Sequence, residues 1–216
     1  MTATYHCIAR AARRYSALEL TQLFFAFSIF GWLWEAALHL VFDGELVNRG
    51  VLLGPWLPIY GVGGVLSVLL LRHFVHRPLL VFGMGTALCA AVEYIAGSFL
   101  LSAYGMRWWD YSAYPLNIRG FVCLQTSVIF GLGCCAALYF FAPALADRFA
   151  RLPHLAVRRV GALLLILFAC DLILSAGHPN SGAGVTDYHQ TQSVQSGGVV
   201  EINPLYLAAQ AQNLYK

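Results

Sequence analysis

Apolar and polar positions divide this chain into long hydrophobic runs joined by short polar stretches. The runs at residues 18–42, 53–74, 79–103, 121–142 and 157–176 each supply the roughly 20 mainly apolar residues that a helix needs to cross a bilayer. They predict an all-α fold, a polytopic membrane protein of about five transmembrane helices. The second run is irregular, because Pro55 and Pro58 fall in its first half, and a broken or re-entrant start is the alternative to a full helix there. The first run is too long for the apolar part of a secretory signal, is interrupted by Glu35 and is followed by no A-x-A site, so it reads as an anchor. The expected layout is a basic cytoplasmic lead at 1–17, a membrane domain at 18–176 and a polar tail at 177–216. The Gly, Ser, Gln, Asn and Thr of that tail cannot bury a core; it is expected to be disordered and extracytoplasmic, with a weak helix at 204–215.

Composition supports the membrane assignment: 59% of the 216 residues are hydrophobic and 11% charged, and the mean hydropathy is +0.67. Arg10, Arg13, Arg14, Arg72, Arg77, Arg148, Arg151, Arg158 and Arg159 fall in joints on one side, against Arg49, Arg107, Arg119 and Lys216 on the other. The positive-inside rule then places the N-terminus inside and the C-terminus outside. That bias accounts for the net charge of +3 without a nucleic-acid partner. The six cysteines form no C-x-x-C pair and read as small packing residues, so neither a metal nor a cofactor is expected. No phosphate-binding loop is present, and the sole lysine is Lys216.

The chemistry concentrates in three places. The stretch 48–64, N-R-G-V-L-L-G-P-W-L-P-I-Y-G-V-G-G, carries helix breakers beside a spanning run, which a membrane tolerates only where protein or water receives the freed backbone groups. Arg49, Gly50, Ile59, Gly61 and Gly63 recur 70 residues later as Arg119, Gly120, Ile129, Gly131 and Gly133, and Tyr60 is answered by Phe130. Glu35 and Glu93 each lie slightly outward of the middle of an outward-running helix, the second place. A carboxyl there costs at least about 2.5 kcal/mol and turns inward to a partner. Together these features predict a parallel two-helix repeat that brings two acids to one pocket. The third place is the joint 104–120, where Arg107, Asp110, Asn117 and Arg119 are expected to join Asn48 and Arg49 as a polar lid, with Trp108, Trp109, Tyr111 and Tyr114 at the membrane interface. Gly54, Pro55 and Pro58 are expected to keep the chain kinked until Ile59. Asp171, near the outer end of the last run, is a weaker candidate. Residues 145–152 pattern as a short amphipathic helix on the inner surface, suited to lipid or to a docking partner.

These motifs resemble the ABC-transporter permease family of bacterial multi-pass membrane proteins, also called CmpB-like or type IV. The resemblance covers residues 20–143 and rests on G-W-L-W-E from Gly31, the stretch from Asn48, E-Y-I-A-G from Glu93, W-W-D-Y-S from Trp108 and N-I-R-G from Asn117. It implies that Glu35, Asn48, Arg49, Gly54, Pro55, Pro58, Tyr60, Glu93, Trp109, Asp110, Tyr111, Asn117 and Gly120 matter. It also implies a bacterial cytoplasmic (inner) membrane protein. The expected function is a permease subunit that moves a small polar or cationic solute, dependent on a separate ATPase docking at 144–159. Glu35, Glu93, Asn48, Arg49, Tyr60, Asp110, Asn117 and Arg119 are then the substrate-binding set. The alternatives are an ion-coupled carrier and a non-transporting membrane module that binds a lipid or an envelope protein. Four or five helices are few for a permease, which leaves room for a homodimer. An acid and base enzyme is disfavoured, since no nucleophile or metal cluster accompanies the two glutamates.

Overall fold

The computed structural model describes residues 8–42 and 44–182, and these form five long helices, a short helical stretch at 8–11 and no strand. They are α1 (Ala17–Phe42), α2 (Pro58–Phe74), α3 (Pro78–Tyr104), α4 (Leu124–Ala150) and α5 (His154–Gly177). The chain is thus the all-α polytopic membrane protein its hydropathy predicts. Cys7, Lys216 and the weak helix at 204–215 lie outside the described residues, as do the rest of the tail from 183 and the first seven residues.

Local chemistry sets the boundaries. Ser16 opens α1 with a capping box, its N–H donating to the Glu19 carboxylate at 2.8 Å while its Oγ accepts from the Glu19 N–H at 3.3 Å. Proline stands at the start of both α2 and α3, where no intrahelical N–H is missed. Gly105 ends α3 in the left-handed conformation at φ 69°.

Two of the expected spans are corrected. Residues 53–57 are not helical, which is the broken start the sequence leaves as the alternative, so α2 has 17 residues and covers about 25 Å, short of the hydrocarbon core; among the described residues four helices, not five, are long and apolar enough to cross unaided. The fourth span does not stop at Pro143. It runs on to Ala150 through a π-helical turn at Ala137–Phe141, where the Ala142 N–H reaches back to the Ala137 carbonyl. The wider turn lets the helix pass a proline that has no N–H and whose ring crowds the preceding turn. Residues 145–150 therefore extend a spanning helix instead of lying free on a surface. Arg10 and Arg13 pin this extension through Asp147, at 2.5 and 2.9 Å.

Helices α1 and α2 form one antiparallel hairpin, α3 and α4 a second, and the two are built alike. A side chain at Gly61 would strike Phe24 and Ser28; one at Gly131 would strike Phe82 and Thr86. The two glycines differ by 70 positions and both pairs of neighbours by 58, the same 58 that separates Glu35 from Glu93. The contact of Gly64 with Phe27 recurs with the sizes exchanged as Cys134 against Gly85. Gly50 and Gly120, which precede the two return helices, both have positive φ, at 90° and 72°. Buried Leu23, Phe27, Val68, Leu71, Val81 and Leu138 join the hairpins at the end that carries the basic joints. Helix α5 lies against α1, where Gly161 makes room for Gln22, whose Nε2 donates to the Val157 carbonyl. Large apolar side chains such as Leu79, Ile95, Ile129 and Ile173 point outward, as lipid contact requires.

Candidate functional site

Between α1 and α2 the chain enters the bundle without helical hydrogen bonds, and its freed polar groups find partners one by one. Asp171 of α5 accepts from the Leu53 and Gly54 N–H groups at 3.1 and 2.9 Å and from the Trp56 indole at 2.6 Å, and Ser175 donates to it at 3.0 Å. Leu52 and Trp56 pack on Phe25, and the rings of Phe24, Phe25, Trp56 and Phe168 meet edge to face. Asn180 follows α5, and its Nδ2 donates to the Asn48 and Gly50 carbonyls at 2.7 and 2.9 Å. Irregular backbone at this depth is thus received by protein. From the sequence alone Asp171 is a weaker site candidate and Asn180 belongs to a disordered tail. In the structure Asp171 is the clamp of the re-entrant segment, and residues 177–182 belong to the bundle.

That clamp shapes one wall of a cavity of about 230 Å³ that both glutamates line. The Tyr60 hydroxyl donates to Glu35 Oε1 at 2.6 Å, and Arg49 Nε lies 3.7 Å from Glu35 Oε2. Glu93 is 4% exposed, and its Oε2 has no hydrogen-bond partner. Tyr111 faces Glu93 from the loop between α3 and α4. Burial raises the Tyr111 phenol above the usual tyrosine range, and the carboxyls of Glu93 and Glu35 push it further the same way, so it meets them as a neutral hydroxyl. Apolar and aromatic walls with a few convergent polar groups are the usual make-up of a small-molecule site.

The predicted polar lid is not what covers this cavity. Its roof is aromatic, formed by Trp108, Trp109 and Tyr111, with Arg49 the sole basic residue on its wall among the described residues. Asp110 accepts from Ser112, Asn117 bonds the Ser112 and Tyr114 carbonyls, and Arg119 is exposed at φ 54°; all three lie off the cavity. They build the loop that carries the aromatic roof, in which Trp109 Nε1 donates to the Phe121 carbonyl at 2.8 Å. A side chain at Gly120 would strike Asp110 and Ser112. Asn48 also turns away, accepting from Trp32 at 2.6 Å and donating to the Leu53 carbonyl at 3.0 Å. Gly54 and Pro55 stand in the clamped segment, and Pro58 touches the cavity. Phe130 is one of several wall residues missing from the candidate set, although its match to Tyr60 across the repeat pointed to it: the two rings meet edge to face at 5.7 Å.

A bundle of apolar helices around a cavity with two inward carboxyls and a clamped re-entrant segment defines a polytopic membrane protein. The chain belongs to the family described as putative ABC-transporter type IV, whose model matches residues 22–176. No curated protein and no solved structure matches the chain.

Proposed function

We propose that this chain is a permease subunit that holds a small cationic solute between Glu35 and Glu93. The observation that carries the reading is Glu93 Oε2, buried and without a hydrogen-bond partner on the wall of a cavity that a second carboxyl also lines. A buried carboxyl with an open lone pair is costly and is stabilised by an incoming cation or donor. Arg49 beside Glu35 tempers the negative charge at the mouth, so entry favours modest positive charge over multivalent ions. By the positive-inside rule the end bearing Arg10, Arg72, Arg148 and Arg151 faces the cytoplasm of a bacterial inner membrane, and the aromatic roof faces out. Arg148, Arg151, Arg158 and Arg159 are exposed at that inner end, which supports docking of a separate ATPase at 144–159.

The test is accumulation of labelled methylammonium in vesicles carrying the full chain, with and without ATP and a co-purified ATPase. The expected result is uptake above protein-free vesicles that falls at least tenfold in Glu35→Gln plus Glu93→Gln. Uptake unchanged in that variant would defeat the cation site, and uptake that ignores ATP would leave an ion-coupled carrier. A membrane module that binds lipid or envelope protein would move no solute, and its partner binding would survive both substitutions.

A further inference from the structure

A second cavity of about 170 Å³ lies deeper, further from the roof, and opens outward past the exposed Phe30, Gly133 and Phe141; the two cavities share Ile59, Tyr60, Glu93 and Phe130. On α2 and α3 the two linings fall on opposite sides of the shared residues, while from α4 the roofed cavity takes Phe130 alone. Along α2 the roofed cavity takes Leu57 and Pro58 and the deeper one Gly63 and Gly64; along α3 the roofed cavity takes Ala96 and the deeper one Cys89. The shared side chains therefore form a thin partition between stacked chambers. Its two rings come from matching positions of the two hairpins. Glu93 borders both chambers, so its open Oε2 sits at the junction.

We propose that Tyr60 and Phe130 are a movable septum in one solute path, with Glu93 as its midpoint and Glu35 as the latch that holds it closed. The inference rests on the cation-permease reading and adds the route and its control. The latch follows from the chemistry of Glu35, whose Oε1 accepts from the Tyr60 hydroxyl at 2.6 Å. A cation entering the roofed chamber competes for that carboxylate and removes the bond that fixes the Tyr60 ring. The septum is otherwise held by an edge-to-face ring pair, a weak contact that thermal motion can open. Beyond it the cation meets the second face of Glu93 and then a chamber lined by Cys89 and Cys134, whose sulfurs lie 3.3 Å apart.

Cys89 is a built-in reporter of the deeper chamber. The other cysteines are replaced by alanine in the full chain, which is placed in vesicles and treated from the roofed side with a cationic methanethiosulfonate. Phe130→Ala should raise the rate of Cys89 modification at least tenfold, while Ala96→Cys, in the roofed chamber, reacts at one rate with or without it. Methylammonium should speed Cys89 modification several-fold in the parent, and Tyr60→Phe, which has no hydroxyl to release, should abolish that response. Unchanged Cys89 rates in Phe130→Ala, with Ala96→Cys reacting normally, would overturn the septum and leave the outer site standing. No methylammonium response in the parent would overturn the latch. Ala96→Cys reacting equally with cationic and anionic reagents, in the parent and in Glu35→Gln plus Glu93→Gln alike, would instead defeat the cation reading itself.

Discussion

Asp171 and Glu93 are both carboxyls buried in the bundle, but their surroundings assign them opposite work. Asp171 accepts from two backbone N–H groups, an indole and a serine, whereas Glu93 Oε2 accepts nothing. Removing an acceptor strands buried donors at about 1–3 kcal/mol each. Asp171→Ala should therefore lower stability by about 3 kcal/mol or more, read as a lower thermal midpoint of tryptophan fluorescence in detergent. Glu93→Gln should leave that midpoint unchanged or raise it, because an amide is cheaper to bury than an ionisable acid. Tyr15, outside the spans, offers a pH test. Burial raises its phenol to about 12, above its ordinary 10. As pH rises from 10 toward 12 the unfolded chain loses this proton and the folded chain keeps it, so the folded state loses stability across that window. Tyr15 Oη is buried without a hydrogen-bond partner, so Tyr15→Phe should equal or exceed the parent below pH 10, and its lead in thermal midpoint should widen above pH 11.

At the scale of elements, helix pairing depends on particular glycines. A methyl at Gly131 would lie 2.1 Å from Thr86 Oγ1, whereas nothing lies within 4 Å of one at Gly133. Gly131→Ala should cost about 1–3 kcal/mol by overpacking, and Thr86→Ala in the same chain should recover part of it. Gly133→Ala should be neutral or stabilising by up to about 1 kcal/mol, from helix propensity alone. Unfolding in graded denaturing detergent separates the three. Both glycines sit in the repeated motif. Which of them touches a neighbour depends on the rotation of α4 about its axis, and the apolar pattern leaves that open because lipid and protein accept the same residues.

For the whole molecule, the basic end and the aromatic end should face opposite sides of the membrane. Ser112→Cys should react with an impermeant maleimide in intact cells, and Arg151→Cys only after permeabilisation; both positions are exposed, and the reverse pattern would invert the proposed orientation. Chain chemistry alone determined the class of fold, the two hairpins and the matching positions of Glu35 and Glu93 in them, since hydropathy, helix breakers and the 58- and 70-residue offsets are all properties of the linear order. It did not determine what covers the acids. Asp110, Asn117 and Arg119 are polar in any arrangement, and only the folded loop spends them on its own backbone while turning Trp108, Trp109 and Tyr111 over the cavity. Nor did it determine the work of Asp171 and Asn180, which meet residues 48–56 more than 110 positions away. Contacts at that separation follow from how the helices pack, because only there does an unpaired backbone group find its acceptor.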